Sequence, residues 1–386
     1  MSARSRPWAI VSGAAVNGLG VARSLGARGV RVAVIDSADG PAFASRHARR
    51  RVRVLHDRGT PAYVDAVAGL ARALGDRPAL ILTQEATVLP VAARREELSA
   101  VLRQTMPDAD LAALLIDKER TQARAEAMGF PVPRTVRLAG PHEVEAARAL
   151  TFPVVLKPAA KSELWERANK KAYRFETYHD LAHTYAQIGQ GGPQVVVQEW
   201  IEGTDADIYF TLVHRDESGR TVAQFSGRKL RQWPPGVGGT ASCAPTTPQI
   251  AAELEALTAR FFDAVGCIGL ASIEYKRDAR SRRFVMVEPT VGRTDYQEEV
   301  ATLNGVNLPY AAYATLVGLP VPAPASIRPR IWRDAISDAR SAAAQPALAL
   351  PPEYARWPVV DTIARASDPG PWAAALAARV RARVRL

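Results

Sequence analysis

Cysteine occurs only at Cys243 and Cys267, and neither belongs to a CxxC pair or a Cys/His cluster. That scarcity argues against a disulfide framework and against a structural zinc site, and a reducing, cytoplasmic setting is expected. The six histidines are dispersed, and no Ser/His/Asp or Cys/His arrangement offers a covalent nucleophile. No apolar run reaches the roughly 18 residues that a membrane helix requires, so no membrane span is expected. The opening stretch "MSARSRPWAIVSGAAVNGLG" has a basic head and a short apolar run. It passes into Asn17 and a glycine turn without a cleavage-like site, and it reads as a buried strand and not a signal peptide.

What is present describes an ordinary globular chain, with 47% hydrophobic and 23% charged residues over a length of 386. That length exceeds one compact core and predicts two or three domains. The net charge of +11 comes mostly from scattered arginine. It leaves a nucleic-acid reading open on charge alone, predicts no specific nucleic-acid partner, and would equally suit anionic substrates.

The segment "WAIVSGAAVNGLGVARSLGARGVRVAVID" reads as strand, glycine turn, amphipathic helix and second strand ending at Asp36, one unit of a parallel doubly wound sheet. Gly13, Gly18 and Gly20 depart from the G-x-G-x-x-G spacing, so a tight structural turn is favoured over a nicotinamide dinucleotide site. Further strands are expected at 51–55 and 79–83, with a helix over 61–74 between them. Helical pattern then runs from about 90 to 128 and stops at Gly129 and two prolines. Strands are expected over 152–158 and 194–201, with helices near 179–188 and 248–264. Beyond about 320 the composition turns to proline, alanine and arginine, and an irregular tail with a terminal helix is expected.

The stretch "SIEYKRDARSRRFVMVEPTVGR" carries the strongest chemical signal. If "ASIEY" and "FVMVE" pair as an antiparallel hairpin, Glu274 and Glu288 fall opposite each other on one face. Two carboxylates placed so repel unless a cation joins them, and a hard ion such as Mg²⁺ accepts such a pair with a further oxygen donor. The alternatives are an offset of one residue, or neutralisation by Lys276, Arg282 or Arg283. Lys157 ends the apolar strand "FPVVLKP", where a charge needs a partner such as phosphate. Lys118 is of a kind that is ordinarily solvated. "VVVQEWIEG" reads either as an edge strand entering a turn or as backbone and carboxylate offered to an adenine edge.

In order and spacing these pieces resemble the ATP-grasp superfamily, and within it the carboxylate–amine ligases that include D-aspartate ligase-like members. The carriers are "VSGAAVNGLGVARSLGARGVRVAVID", "DKERTQARAEAMGFPVPRT", "VVLKP", "VQEWIEG", "GRKLRQWPPGVGG" and "GLASIEYKRD…FVMVEPTVGRTDYQ", covering about residues 8–320. The resemblance implies an α/β ATP-grasp fold with a Rossmann-like pre-ATP-grasp domain at 1–112. It also implies a small subdomain at 113–195, a large subdomain with the metal hairpin at 196–320, and an extension at 321–386.

It further implies an ADP-forming enzyme using ATP and Mg²⁺ to join a carboxylate to an amine through an acyl phosphate. Lys118 and Lys157 would contact phosphates, and Glu199, Trp200 and Ile201 would hold adenine. Asp207, or else Asp205, would take the ribose. Glu274, Glu288 and Thr290 would bind metal, and Arg293, Lys229 and Arg231 would serve the transferring group. The usual glycines after the strand lysine are missing, and Lys170 and Lys171 would stand in for their amides. Substrate contacts are expected at Asn17, Gln84, Glu85 and Arg293, with an amino acid among the substrates and a homodimer left open. A non-catalytic ATP sensor of the same fold is the alternative.

Overall fold

A computed structural model describes residues 6–159, 169, 172–190, 192–326 and 328–384. The chain opens with four parallel strands, β1 (Ala9–Ser12), β2 (Val32–Asp36), β3 (Ala48–Arg53) and β4 (Ala79–Leu82), in the order β3-β2-β1-β4. β1, β2 and β4 are buried along their whole length, as continuous apolar runs in a covered parallel sheet should be. The helix Pro61–Leu74 has the expected span. The Thr60 hydroxyl caps it by accepting from the Tyr63 amide, and Gly75, at φ +68°, ends it.

The glycine turn after β1 is built for packing. A Cβ on Gly13 would lie 2.0 Å from Thr83 Oγ1, and one on Gly18 would lie 1.9 Å from the Gly13 carbonyl oxygen. Asp36, at the end of β2, is fully buried and accepts from the Ala14 amide at 2.5 Å, the Ala38 amide at 3.1 Å and both prongs of Arg58 at 2.7 and 3.0 Å. Its oxygens are spent inside the protein, which removes the acid that a dinucleotide site would need.

The helical pattern expected from 90 to 128 is four helices, Val88–Ala93, Arg95–Ser99, Ala109–Ile116 and Lys118–Ala127. Asp108 and Asp117 interrupt it as N-caps. A second, antiparallel sheet follows, β5 (Thr135–Leu138), β6 (Val154–Pro158), β7 (Tyr173–Phe175) and β8 (Val195–Glu199), in the order β5-β8-β6-β7. The helix Tyr178–Ile188 covers it, and Leu156, Phe175, Leu181, Tyr185 and Val197 form a core of its own.

The third sheet takes seven strands among the described residues: β9 (Ile208–Arg215), β10 (Thr221–Trp233), β11 (Gly239–Pro245), β12 (Gly269–Arg277), β13 (Phe284–Val291), β14 (Ile331–Arg333) and β15 (Val359–Asp361). Their order is β13-β12-β9-β10-β11-β14-β15. The expectation of an irregular tail after 320 is therefore corrected. β14 pairs antiparallel with β11, Cys243 opposite Trp332, and β15 runs parallel to β14. Trp332 is almost wholly buried, and burying such a side chain contributes about 2–3 kcal/mol. It belongs to one continuous core with Val11 and Leu19 of the first layer, Phe210 and Leu212 of β9, and Tyr313 of the helix Leu308–Val317. No helix among the described residues is long and apolar enough to cross a membrane.

Candidate functional site

Between the second and third sheets lies a cleft of about 400 Å³. β6 contributes Val155 and Lys157, and the end of β8 contributes Gln198, Glu199, Trp200 and Ile201. The third sheet faces them with Lys229, Glu274, Lys276 and Glu288, and the loop after β13 adds Asp295, Tyr296 and Gln297.

The β12–β13 hairpin has the register expected of it. Ser272 stands opposite Thr290 and Glu274 opposite Glu288. The ladder then slips, so that Tyr275 meets Met286 and Val287 bulges out. The period of two puts Ser272, Glu274, Glu288 and Thr290 on one face. The cations on the carboxylates come from elsewhere than the hairpin. Lys118 pairs with Glu288, and Lys229 Nζ lies 2.6 Å from Glu274 Oε2. Lys118 is aimed by its cap, because Asp117 Oδ1 accepts the Glu119 and Arg120 amides at 3.0 Å each and starts the helix at that residue.

Burial raises the Glu274 carboxyl above the ordinary range, with Lys229 opposing and Glu288 adding to the rise. Burial also works against the Glu288 charge, but Lys118, backed by Lys157 and Lys229, holds that carboxyl below the ordinary value. Both lysines feel burial first, and their carboxylates more than offset it, leaving each ammonium above the usual lysine value. Each carboxylate of the pair thus already holds an ammonium group.

Across the cleft, Lys157 Nζ donates to Gln198 Oε1 at 3.1 Å. Gln198 Nε2 in turn donates to Gln122 Oε1 at 2.7 Å and Thr135 Oγ1 at 3.0 Å. The Glu199 carboxylate accepts from the Thr151 amide at 2.8 Å, and the Trp200 amide donates to the Pro153 carbonyl at 2.9 Å. Lys276 Nζ lies 4.5 Å from the Trp200 ring centroid. It therefore faces the hinge, residues 197–203 at the end of β8, and does not neutralise the glutamate pair. Arg282 lies in the turn at φ +60° and is exposed.

Several expected residues stand elsewhere. Arg231 is turned to the C-terminal segment, 3.4 Å from Asp338 and 5.3 Å from the Tyr354 ring, because β10 is irregular between Lys229 and Arg231. Asp207 closes a capping box, accepting from the Thr204 amide at 2.8 Å and hydroxyl at 3.0 Å. Asp205 is buried against Gln232 and the Gly236 amide. Neither acid lines the cleft. Asn17 is a buried staple, donating to the carbonyls of Thr83 and Thr294 at 3.1 Å each and accepting from the Thr294 hydroxyl. The Gln84 side chain lies against Gly13. Arg293 is outside the cleft lining and lies 3.5 Å from Glu85, whose carboxylate also acts on Lys118. Thr290 shares the glutamates' face without lining the cleft. Lys170 and Lys171 lie outside the described residues.

Sequence reasoning missed Asp295, Gln198 and the cleft role of Lys276. Asp295 accepts from Ser272 Oγ at 2.8 Å and acts electrostatically on both Glu274 and Lys229. Its signal was an acid two residues beyond Arg293. Lys276 shares the strand parity of Glu274.

The residues fit a hard divalent cation. Among the described residues no group of three or more His, Cys, Asp or Glu side chains is arranged to hold a metal. Two facing carboxylates suit an ion that takes its other ligands from phosphate oxygens and water.

No family model matches the chain. It is 29% identical over 191 residues to a D-alanine--D-alanine ligase of Ectopseudomonas mendocina, covering 48% of this chain and 58% of that ligase. It is 29% identical over 158 residues to carnosine synthase 1 of Mus musculus, covering 39% of this chain and 19% of the synthase. The chain thus spans less than two thirds of the length of these relatives. The ADP complex of an N5-carboxyaminoimidazole ribonucleotide synthetase superposes with a TM-score of 0.64 at 15% identity, over 84% of this chain and 80% of the other. A Campylobacter jejuni biotin carboxylase superposes with a TM-score of 0.62 at 16% identity, over 82% and 72%. With the lysine-bearing cleft and the paired glutamates, these likenesses lead to one conclusion: the chain has the ATP-grasp fold and is similar in sequence to ATP-grasp ligases.

Proposed function

We propose that the chain is an ADP-forming ligase that joins a carboxylate to an amine, akin to the D-aspartate ligase-like members of the superfamily. The observation that carries this reading is the convergence of Lys118, Lys157 and Lys229 on one cleft with Glu274 and Glu288 in register. Relatives named for ligase and synthase reactions support it.

In this reading Lys118 and Lys157 meet the polyphosphate of ATP, where fixed cations offset its charge. The hinge takes the base. The Trp200 amide is already bonded to Pro153, which passes the backbone contact to Ile201, while Trp200 and Lys276 wall the site. Glu274 and Glu288 would hold Mg²⁺, which when bound supplies charge compensation to the phosphate oxygens. The γ-phosphoryl group passes to a substrate carboxylate oxygen, giving an acyl phosphate and ADP. The amine then attacks the acyl carbon, loses a proton and expels inorganic phosphate, leaving an amide. Lys229, released from Glu274, and Arg293, released from Glu85, would stabilise the charge on the transferring group. Position and charge do the work, and no covalent enzyme intermediate is required.

The test is incubation with Mg-ATP and a pool of small carboxylates and amines, following nucleotides and new masses, with Glu288→Gln as control. ADP together with a mass equal to two pool members less water, absent in the variant, is the expected result. AMP in place of ADP would sink the acyl-phosphate mechanism. Nucleotide binding with no ADP from any pool would favour a sensor.

A further inference from the structure

The loop that brings Asp295, Tyr296 and Gln297 to the cleft is gripped by the C-terminal segment. The Tyr296 hydroxyl donates to Asp334 Oδ2 at 3.1 Å, and its ring stands edge-on to Trp332, 5.6 Å between centroids at 84°. Asp334 is itself fixed. Its amide donates to the Ala241 carbonyl at 2.8 Å, and its Oδ1 caps the helix Ala335–Ala344 by accepting the Ile336 amide at 3.1 Å.

Two residues beyond Gln297, Glu299 receives Arg365 as a two-pronged pair, 2.7 Å on each oxygen, and both side chains are largely buried. Glu299 cannot retreat, since it packs so closely on Gly20 that a Cβ there would come within 2.8 Å of it. Arg365 Nε also donates to the Asp361 carbonyl at 2.7 Å, and the segment around it is anchored on the first layer. Asp368 accepts from Arg23 Nε at 2.9 Å, the Ser45 hydroxyl at 2.8 Å and the Arg46 amide at 2.9 Å, and Arg23 also donates to the Thr362 carbonyl at 2.5 Å. A buried, bidentate, multiply bonded ion pair fixes geometry in a way that an exposed one does not.

We propose that residues 331–368 clamp one wall of the cleft, with Asp334 and Arg365 as positioning residues for Asp295, Tyr296 and Gln297. Neither residue touches a ligand; each acts through the loop it holds. The nucleotide part of this inference rests on the proposed function, and the mechanical part does not.

Hydrogen exchange of the full-length protein, read by mass spectrometry, tests it in the wild type, Arg365→Ala, Arg365→Lys and Tyr296→Phe, with and without Mg-ADP. The expected result is exchange of residues 294–303 faster on the order of tenfold in Arg365→Ala, with residues 208–215 unchanged and partial rescue in Arg365→Lys. Mg-ADP affinity falls about tenfold in Arg365→Ala and less in Arg365→Lys. Tyr296→Phe removes one hydroxyl and keeps the ring, so it reports on the Asp334 grip even where Arg365→Ala folds poorly. Unchanged exchange at 294–303, or an equal rise throughout the chain, overturns the clamp. A wild type that binds no Mg-ADP while the local exchange difference persists supports the clamp and sinks the nucleotide reading instead.

Discussion

Lys229 and Glu274, on strands separated by β9, meet at 2.6 Å in the interior of the cleft, and the lysine is almost completely enclosed. Each is the other's compensation. Removing the lysine leaves a desolvated carboxylate, a change that typically costs about 3–5 kcal/mol.

Lys229→Ala is therefore expected to lower stability by about 3 kcal/mol, and Mg²⁺ is expected to recover more of that loss than it adds to the wild type. Thermal unfolding with and without Mg²⁺ checks both halves. A variant whose melting temperature is unmoved by loss of Lys229 would contradict the pairing.

Arg231 makes the opposite prediction. It holds Asp338 and Tyr354 and does not line the cleft, so Arg231→Ala should cost about 1–3 kcal/mol of stability. Its Mg-ADP affinity should stay within about twofold of the wild type, measured by calorimetry.

Lys276 sits beside the hinge tryptophan, 4.5 Å from the ring centroid, facing the proposed base. Lys276→Gln should weaken Mg-ADP about tenfold, near 1.4 kcal/mol, with little change in folding. An unaltered affinity would remove Lys276 from the site.

His214 lies buried in β9 and is pushed down to about 4 by burial. Its folded pKa lies below the ordinary value near 6.5, so its contribution is complete above that value. It is lost as pH falls toward the folded pKa, when the unfolded chain binds the proton first. The loss should reach about 2 kcal/mol by pH 5. Denaturant titrations at pH 7 and pH 5 should show that difference in the wild type and a smaller one in His214→Gln.

The glutamate hairpin was legible because a strand has a period of two and the matched distances survive the bulge at Val287. The partners of those glutamates were not legible. Lys118 and Lys229 reach them from a helix and from another strand, and no local pattern couples such distant positions. Arg231 misled because the register of β10 breaks just after Lys229, which breaks the parity that would have kept the two on one face. The acids after the hinge misled for another reason, since a carboxylate beside a turn serves equally well as a cap, the use made of Asp207. In the tail, β14 and β15 have three residues each, too few to show any period.

The second sheet keeps its own core, apart from the one that joins the first layer to β9 and Trp332. The cleft is therefore a seam between two bodies of unequal anchorage, and whatever fills it acts as missing interior. A nucleotide there would weld the lesser body to the greater, so part of the binding energy would appear as resistance of the small sheet to opening on its own.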